Sequence, residues 1–165
     1  MLFLSYLGLY APIILFLITL ILLRNKLNYL IYFLLGFGLS NILNIILKFL
    51  IKAPRPSNDD KTIEFGIKNN SRSLFDKYGM PSNHAQSCAY ILVFSTMFLN
   101  LYMFIFYVFL TTVCIFQRYL FNNHSLLQLF VGFIIGSIVG YFTYIVANNK
   151  IKGVVNLKKD DDAPL

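Results

Sequence analysis

Charge is scarce in this 165-residue chain: Asp, Glu, Lys and Arg make up 13% of it, against 58% hydrophobic residues. A soluble domain of that length has too little interior to hide so much apolar surface. A water-soluble globule is therefore excluded, and most of the chain belongs in a membrane. Cysteine is nearly absent, and both copies, Cys88 and Cys114, fall inside apolar runs. That rules out a disulfide framework and leaves buried free thiols. His84 and Cys88 stand one helical turn apart, with Cys114 and His124 as further ligand types, but neither pair has metal-finger spacing, and no metal site is read here. The first 23 residues lack a basic leading region and a small-residue cleavage pattern, so they read as a retained span rather than a signal peptide. Acid is missing over a long stretch: no Asp or Glu separates Asp76 from Asp160. Cations held in the membrane along that stretch have no membrane carboxylate to neutralise them.

The formal charge is nevertheless +7. The positive residues cluster at the edges of apolar stretches, which suits membrane flanks and anionic lipid phosphates rather than a nucleic-acid groove, so no nucleic-acid partner is expected. The long apolar runs give an all-α integral-membrane fold, a bundle of about five transmembrane helices in a single domain over 1–165. The spans are about 2–23 (with Pro12 as a tolerated kink), 27–51, 85–99, 101–120 and 125–147. Asn100 is the break in an apolar run too long for one span. A polar loop, 52–83, separates spans two and three, and a charged tail, 148–165, follows the fifth. There is no internal repeat.

Five spans put the end of the second, the start of the third, the end of the fourth and the start of the fifth on one membrane face. The polar residues gather at those ends: Lys48 and Arg55, Ser82 and His84, Arg118, His124. Both histidines of the chain are in this set. A site with several cations and no membrane carboxylate wants an anion from outside, and phosphate fits it, because guanidinium forks match its oxygens and lysine adds a point charge.

The spacings sharpen that expectation. "KFLIKAPRP" (Lys48–Pro56), "PSNH" (Pro81–His84) and "RYLFNNH" (Arg118–His124) occur in this order. Together they resemble the three signature motifs of the type 2 phosphatidic acid phosphatase superfamily, over roughly residues 48–140. The motif glycine is Asn83 here, the terminal aspartate is Gln128, and the serine before the arginine is Gln117. "YGMPSNHAQ" and "RYL…H…Q" are similar to the dolichyl diphosphatase branch, where glutamine also fills the aspartate slot.

The resemblance implies a lipid phosphatase acting on a polyprenyl diphosphate or related lipid phosphate, with membrane lipids around it and neither cofactor nor metal. It implies that His124 is the nucleophile, forming a phosphohistidine, and that His84 is the general acid–base. Lys48, Arg55 and Arg118 would hold the phosphoryl oxygens. Ser82 and the backbone N–H of Asn83 would add donors where the helix dipole favours an anion. Gln128, one turn after His124, would accept the imidazole N–H and fix the tautomer. It would do so without a carboxylate's charge, a loss that costs about 10⁴ in rate in the serine-protease precedent. His124, Gln128, Gly132, Gly136 and Gly140 recur every four residues, a small-residue stripe for close helix approach. Asn41, Asn44 and Lys48 on the second span offer it a partner.

Blander readings stand beside these. The loop lysines read as membrane anchors, Ser82 as a helix cap, and "APRP" as a helix stop. The competing functional class is a non-catalytic scaffold or lipid-binding protein on the same fold, favoured by Gln128 and Gln117. A vanadium haloperoxidase, which shares the superfamily's pocket, fits a membrane-embedded chain badly. Sorting Lys and Arg by side, with the three presumed ligands set aside, leaves five against six, so the positive-inside rule does not orient the chain. The resemblance implies a lumenal or extracytoplasmic site, in an endoplasmic reticulum-like membrane for a eukaryotic or viral chain. The sequon Asn69–Asn70–Ser71 is compatible with that orientation.

Overall fold

The structure is a computed structural model that describes residues 2–57, 67–69 and 74–161. Residues 70 and 71 of the sequon and most of the middle of the polar loop lie outside the described residues. The helices are α1 (Leu2–Leu23), α2 (Leu27–Ile51), α3 (Asn83–Ser95), α4 (Leu101–Leu120) and α5 (Leu126–Asp161). No strand occurs among the described residues.

Helices α1, α2, α4 and α5 are long and apolar enough to cross a membrane. Their outward faces carry large apolar side chains such as Leu35, Leu50, Tyr102 and Phe130, as contact with lipid tails requires. Helix α3 is different. Its 13 residues span about 20 Å at 1.5 Å per residue, short of the ~30 Å hydrocarbon core. It begins two residues before the expected third span and gives way after Ser95 to a 3₁₀ turn, Thr96–Phe98. Its side chains from Ala85 to Leu92 are all buried, so it is the centre of the bundle rather than one of its lipid-facing walls. Asn100 is the expected break, and it caps α4: its side-chain oxygen accepts the Met103 N–H at 2.9 Å. Helix α5 runs past residue 147 and carries the tail's first part as helix to Asp161.

The glycine stripe of α5 packs on α3, not on α2 as its spacing against Asn41, Asn44 and Lys48 had suggested. A Cβ at Gly132 would stand 2.5 Å from the Ser82 carbonyl oxygen, and one at Gly140 would stand 2.7 Å from that of Tyr90. Gly136 lies in the same way against the Gln86 carbonyl. These are backbone-to-backbone approaches, which only glycine permits. Helix α2 meets α3 through amides instead. Asn44 Nδ2 donates to Gln86 Oε1 (2.7 Å) and to the Pro81 carbonyl (3.3 Å), while Gln86 Nε2 donates to the Ser40 carbonyl (2.7 Å).

The end of the bundle near the α1–α2 turn is tied by side chains. The Thr19 hydroxyl meets Tyr107 Oη at 2.9 Å and Ser95 Oγ at 3.3 Å, joining α1, α4 and α3. Lys26 Nζ sits 4.7 Å over the Phe98 ring, and Tyr29 donates to Asn148 at 3.2 Å. Between these contacts and the other end lies an aromatic core in which Phe33 packs against Tyr90 and Phe94. Cys88 and Cys114 are buried free thiols.

Candidate active site

The motif residues meet at the end of the bundle where α2 stops and α3 starts. Lys48 lies in the last turn of α2 and is 1% exposed. Four residues later Lys52 takes a left-handed conformation (φ 51°) and its N–H bonds the Lys48 carbonyl at 2.9 Å, which ends the helix before Pro54 and Pro56. The chain then passes close to the segment leading into α3: the Gly79 N–H donates to the Ala53 carbonyl at 2.8 Å.

Arg55 follows, and main-chain atoms fix its guanidinium. Its Nε donates to the Asp76 carbonyl at 2.8 Å, and one Nη donates to the Asn123 carbonyl at 3.2 Å. The other Nη lies 3.8 Å from Asp76 Oδ1, and Lys48 Nζ lies 3.9 Å from that same oxygen. The polar loop therefore supplies a carboxylate to the cations of the site, which no membrane span does.

The last turn of α4 carries the buried Arg118. Asn122 adopts a left-handed conformation (φ 50°), and the N–H groups of Asn123 and His124 fold back on the Arg118 carbonyl at 3.1 and 3.4 Å. This reversal places His124, 4% exposed, with Nδ1 2.8 Å from the Gly79 carbonyl oxygen. A carbonyl only accepts, so Nδ1 carries the hydrogen and Nε2 keeps the lone pair of the neutral ring.

Gln128 has other partners. Its Oε1 accepts the Ser125 N–H (3.1 Å) while the Ser125 hydroxyl accepts the Gln128 N–H (3.3 Å). Ser125-Leu-Leu-Gln128 is thus a capping box at the start of α5. The Gln128 amide nitrogen also donates to the Pro54 carbonyl (2.7 Å), tying α5 to the segment that carries Arg55. Gln128 lies beside the His124 ring and contributes a lesser favourable contact to it. The tautomer-fixing acceptor expected of Gln128 is the Gly79 carbonyl.

Ser82 occupies the N-cap position of α3, and its N–H donates to the Gln128 carbonyl at 3.1 Å. Its hydroxyl makes no capping bond and, though buried, has no partner among the described residues. The N–H groups of Asn83 and His84 belong to the first helical turn, where no intrahelical acceptor exists.

Both imidazoles are held neutral. His124 is pushed down to about 3 by burial and then by the positive charges of Arg55 and Lys48, against the pull of its Gly79 and Gln128 contacts. His84 is pushed down to about 4 by burial and then by Arg118, with Lys48 and Arg55 adding to it and a hydrogen bond to the Leu9 backbone opposing it. Both histidines thus feel Lys48 and Arg55, and His84 feels Arg118 as well, which brings the two imidazoles and the three cations within electrostatic reach of one another.

Gln117 packs on α1: a Cβ at Gly8 would stand 2.6 Å from Gln117 Cβ. Its position is filled by packing between α4 and α1. A cavity of about 540 Å³ lined by Val93, Tyr144 and Asn148 lies toward the other end, beside the Tyr29 contact, and takes no part in this cluster.

Four contributors escaped the sequence reading: Asp76, and the carbonyls of Gly79, Asn123 and Pro54. Asp76 was visible as the acid bounding the acid-free stretch. The carbonyls carry no side-chain signal at all.

The PAP2 superfamily matches residues 29–152. The dolichyldiphosphatase of Saccharomyces cerevisiae is 29% identical over 131 residues, covering 72% of this chain and 52% of the yeast protein. A palmitoyl-protein thioesterase-dolichyl pyrophosphate phosphatase fusion of Schizosaccharomyces pombe is 30% identical over 132 residues, covering 72% of this chain and 19% of the fusion. The chain thus spans about half of the first relative's length and a fifth of the second's. No solved structure matches.

Proposed function

Because the chain belongs to the PAP2 superfamily, we propose that it is a membrane-embedded phosphatase acting on a dolichyl-type polyprenyl diphosphate or related lipid phosphate. The observation that carries this reading is the His124 imidazole, held by Gly79 with its Nε2 lone pair available and with Arg55 and Lys48 close enough to depress its basicity. Lone pair and cations together are what attack on a phosphoryl group needs.

In this reading Lys48, Arg55 and Arg118 take the phosphoryl oxygens, and the Ser82 hydroxyl and Asn83 N–H donate to them. Nε2 of His124 attacks phosphorus; a P–N bond forms as the P–O bond to the lipid-bearing leaving group breaks. His84 gives that oxygen its proton. It then takes a proton from water, whose oxygen attacks phosphorus, and the P–N electron pair returns to Nε2. His84 is neutral in the free site, and an arriving phosphate anion raises its pKa, so its proton comes with the substrate. The cations supply the charge stabilisation, and the reaction proceeds without metal. The departures that favour a non-catalytic scaffold have local accounts: Gln117 packs on Gly8, and Gln128 builds the capping box and anchors Pro54. The site faces the lumenal or extracytoplasmic side.

The test is phosphate release from a polyprenyl diphosphate in detergent with chelator present, with His124→Ala as control. Release by wild type and not by the variant, inhibited by vanadate, is expected. Equal background release from both, across lipid substrates, would sink the proposal.

A further inference from the structure

Asp76 has no place in the reaction just described, yet its carboxylate stands in the middle of the groups assigned to phosphate. One oxygen, Oδ1, lies 3.9 Å from Lys48 Nζ and 3.8 Å from an Arg55 Nη. Its carbonyl, separately, accepts Arg55 Nε at 2.8 Å. The two functions of the residue are thus divided between its atoms: the main chain orients the guanidinium, and the side chain neutralises it. Lys48 is 1% exposed while the Asp76 side chain is 34% exposed, so the carboxylate sits at the rim and the lysine beneath it. It is borne on a single 3₁₀ turn, Leu74–Lys77, outside the bundle helices.

We propose that Asp76 is an internal competitor for phosphate, its carboxylate neutralising Lys48 and Arg55 and so setting how tightly the site grips phosphate. The inference rests on the phosphatase reading and extends it to affinity. Two buried cations close together repel each other, and a carboxylate between them offsets that repulsion. A phosphoryl dianion has the same oxygen chemistry and more charge. When it enters, it must share those cations with Asp76 or displace it, and in either case the carboxylate works against phosphate. The consequence suits a hydrolase: the product phosphate is held less tightly and leaves.

Asp76→Asn isolates the effect, because it removes the charge and keeps the main-chain acceptor of Arg55. Orthovanadate and inorganic phosphate are titrated into the purified full chain in detergent, by calorimetry and by the shift in melting temperature. Vanadate binding at least about tenfold tighter in Asp76→Asn than in wild type is expected, equivalent to about 1.4 kcal/mol, with Asp76→Glu staying near wild type. Phosphate should raise the melting temperature of the variant more than that of wild type, since tighter binding stabilises the folded state more. Should Asp76→Asn not fold, Asp76→Ser carries the same expectation. Unchanged or weaker vanadate binding in the charge-free variant, with wild type binding normally, overturns the role of Asp76 alone. Absence of vanadate binding in wild type and variant alike overturns the phosphate-site reading with it.

Discussion

Gly132→Ala is a one-methyl perturbation whose effect reaches the site through geometry alone. Gly132 packs against Ser82, the N-cap residue of α3: its missing Cβ would stand 2.5 Å from the Ser82 carbonyl oxygen and 3.2 Å from the Ser82 nitrogen. Ordinary contact begins at 3.4 Å, so the two helices must part by about 0.9 Å at this level. The opposing atoms are backbone, so no side-chain rotation relieves the overlap. Parting them stretches the Ser82 N–H to Gln128 carbonyl bond, now 3.1 Å, toward 4 Å. It also moves His84 and Ser82, which ride on α3, away from His124, which precedes α5. Overpacking of this kind costs about 1–3 kcal/mol, and a displacement near 1 Å in a catalytic constellation costs roughly 10²-fold in rate. We therefore expect kcat to fall by about 10²-fold in phosphate release and the melting temperature in detergent to drop. Gly38→Ala is the matched control: nothing lies within 4 Å of its added methyl, and alanine is the better helix former. A kcat for Gly132→Ala within twofold of that of Gly38→Ala, at an equal melting temperature, would show that the α3–α5 spacing does not set the geometry of the site.

Arg55→Lys keeps the charge but not the fork that bonds the Asp76 and Asn123 carbonyls. Loss of two charge-assisted bonds, at about 1.5–3 kcal/mol each before compensation, should lower kcat/KM on the lipid diphosphate by about 10²-fold; a change under threefold would deny Arg55 its orienting contacts. The depressed histidines set the pH behaviour. Between pH 6.5, where an unfolded histidine protonates, and the folded values of about 4 and 3, the unfolded state binds more protons. Stability should therefore be full above pH 6.5 and fall as pH drops toward 3, read as melting temperature in detergent; His84→Gln and His124→Gln should each flatten that slope. Vanadate binding at pH 6–7 should take up protons as the bound anion raises His84, read from the buffer dependence of the binding heat.

The parts of the site carried by side chains were legible in the sequence, because cation, imidazole and hydroxyl each have a letter. The order of the motifs along apolar spans of countable length fixed their common end of the bundle. What could not be read is carried by the main chain. Nothing in the letters of "YGMPS" says that the Gly79 carbonyl will meet His124, since that contact depends on where the Arg118–His124 reversal lands. Gln128 was assigned by its distance from His124, four residues on a helix. The shorter-range demand of the helix end, with Ser125 three residues earlier, took its oxygen instead. The glycine stripe was visible and its partner was not: spacing tells that a face is small and does not tell which helix lies on it. Helix α3 looked like a short membrane span because hydropathy does not separate burial in protein from burial in lipid.

Main-chain carbonyls of residues 54, 76, 79 and 123 position Gln128, Arg55 and His124. A carbonyl survives any substitution at its own residue that leaves the path of the chain unaltered. Selection on such a site therefore acts on the course of the loop more than on its spelling. Sequence can drift at Asn123 while its acceptor stays where it is, and an insertion of one residue there would do more harm than many exchanges. Homologues of this chain are expected to vary more in the identity of residue 123 than in its spacing from the helix ends.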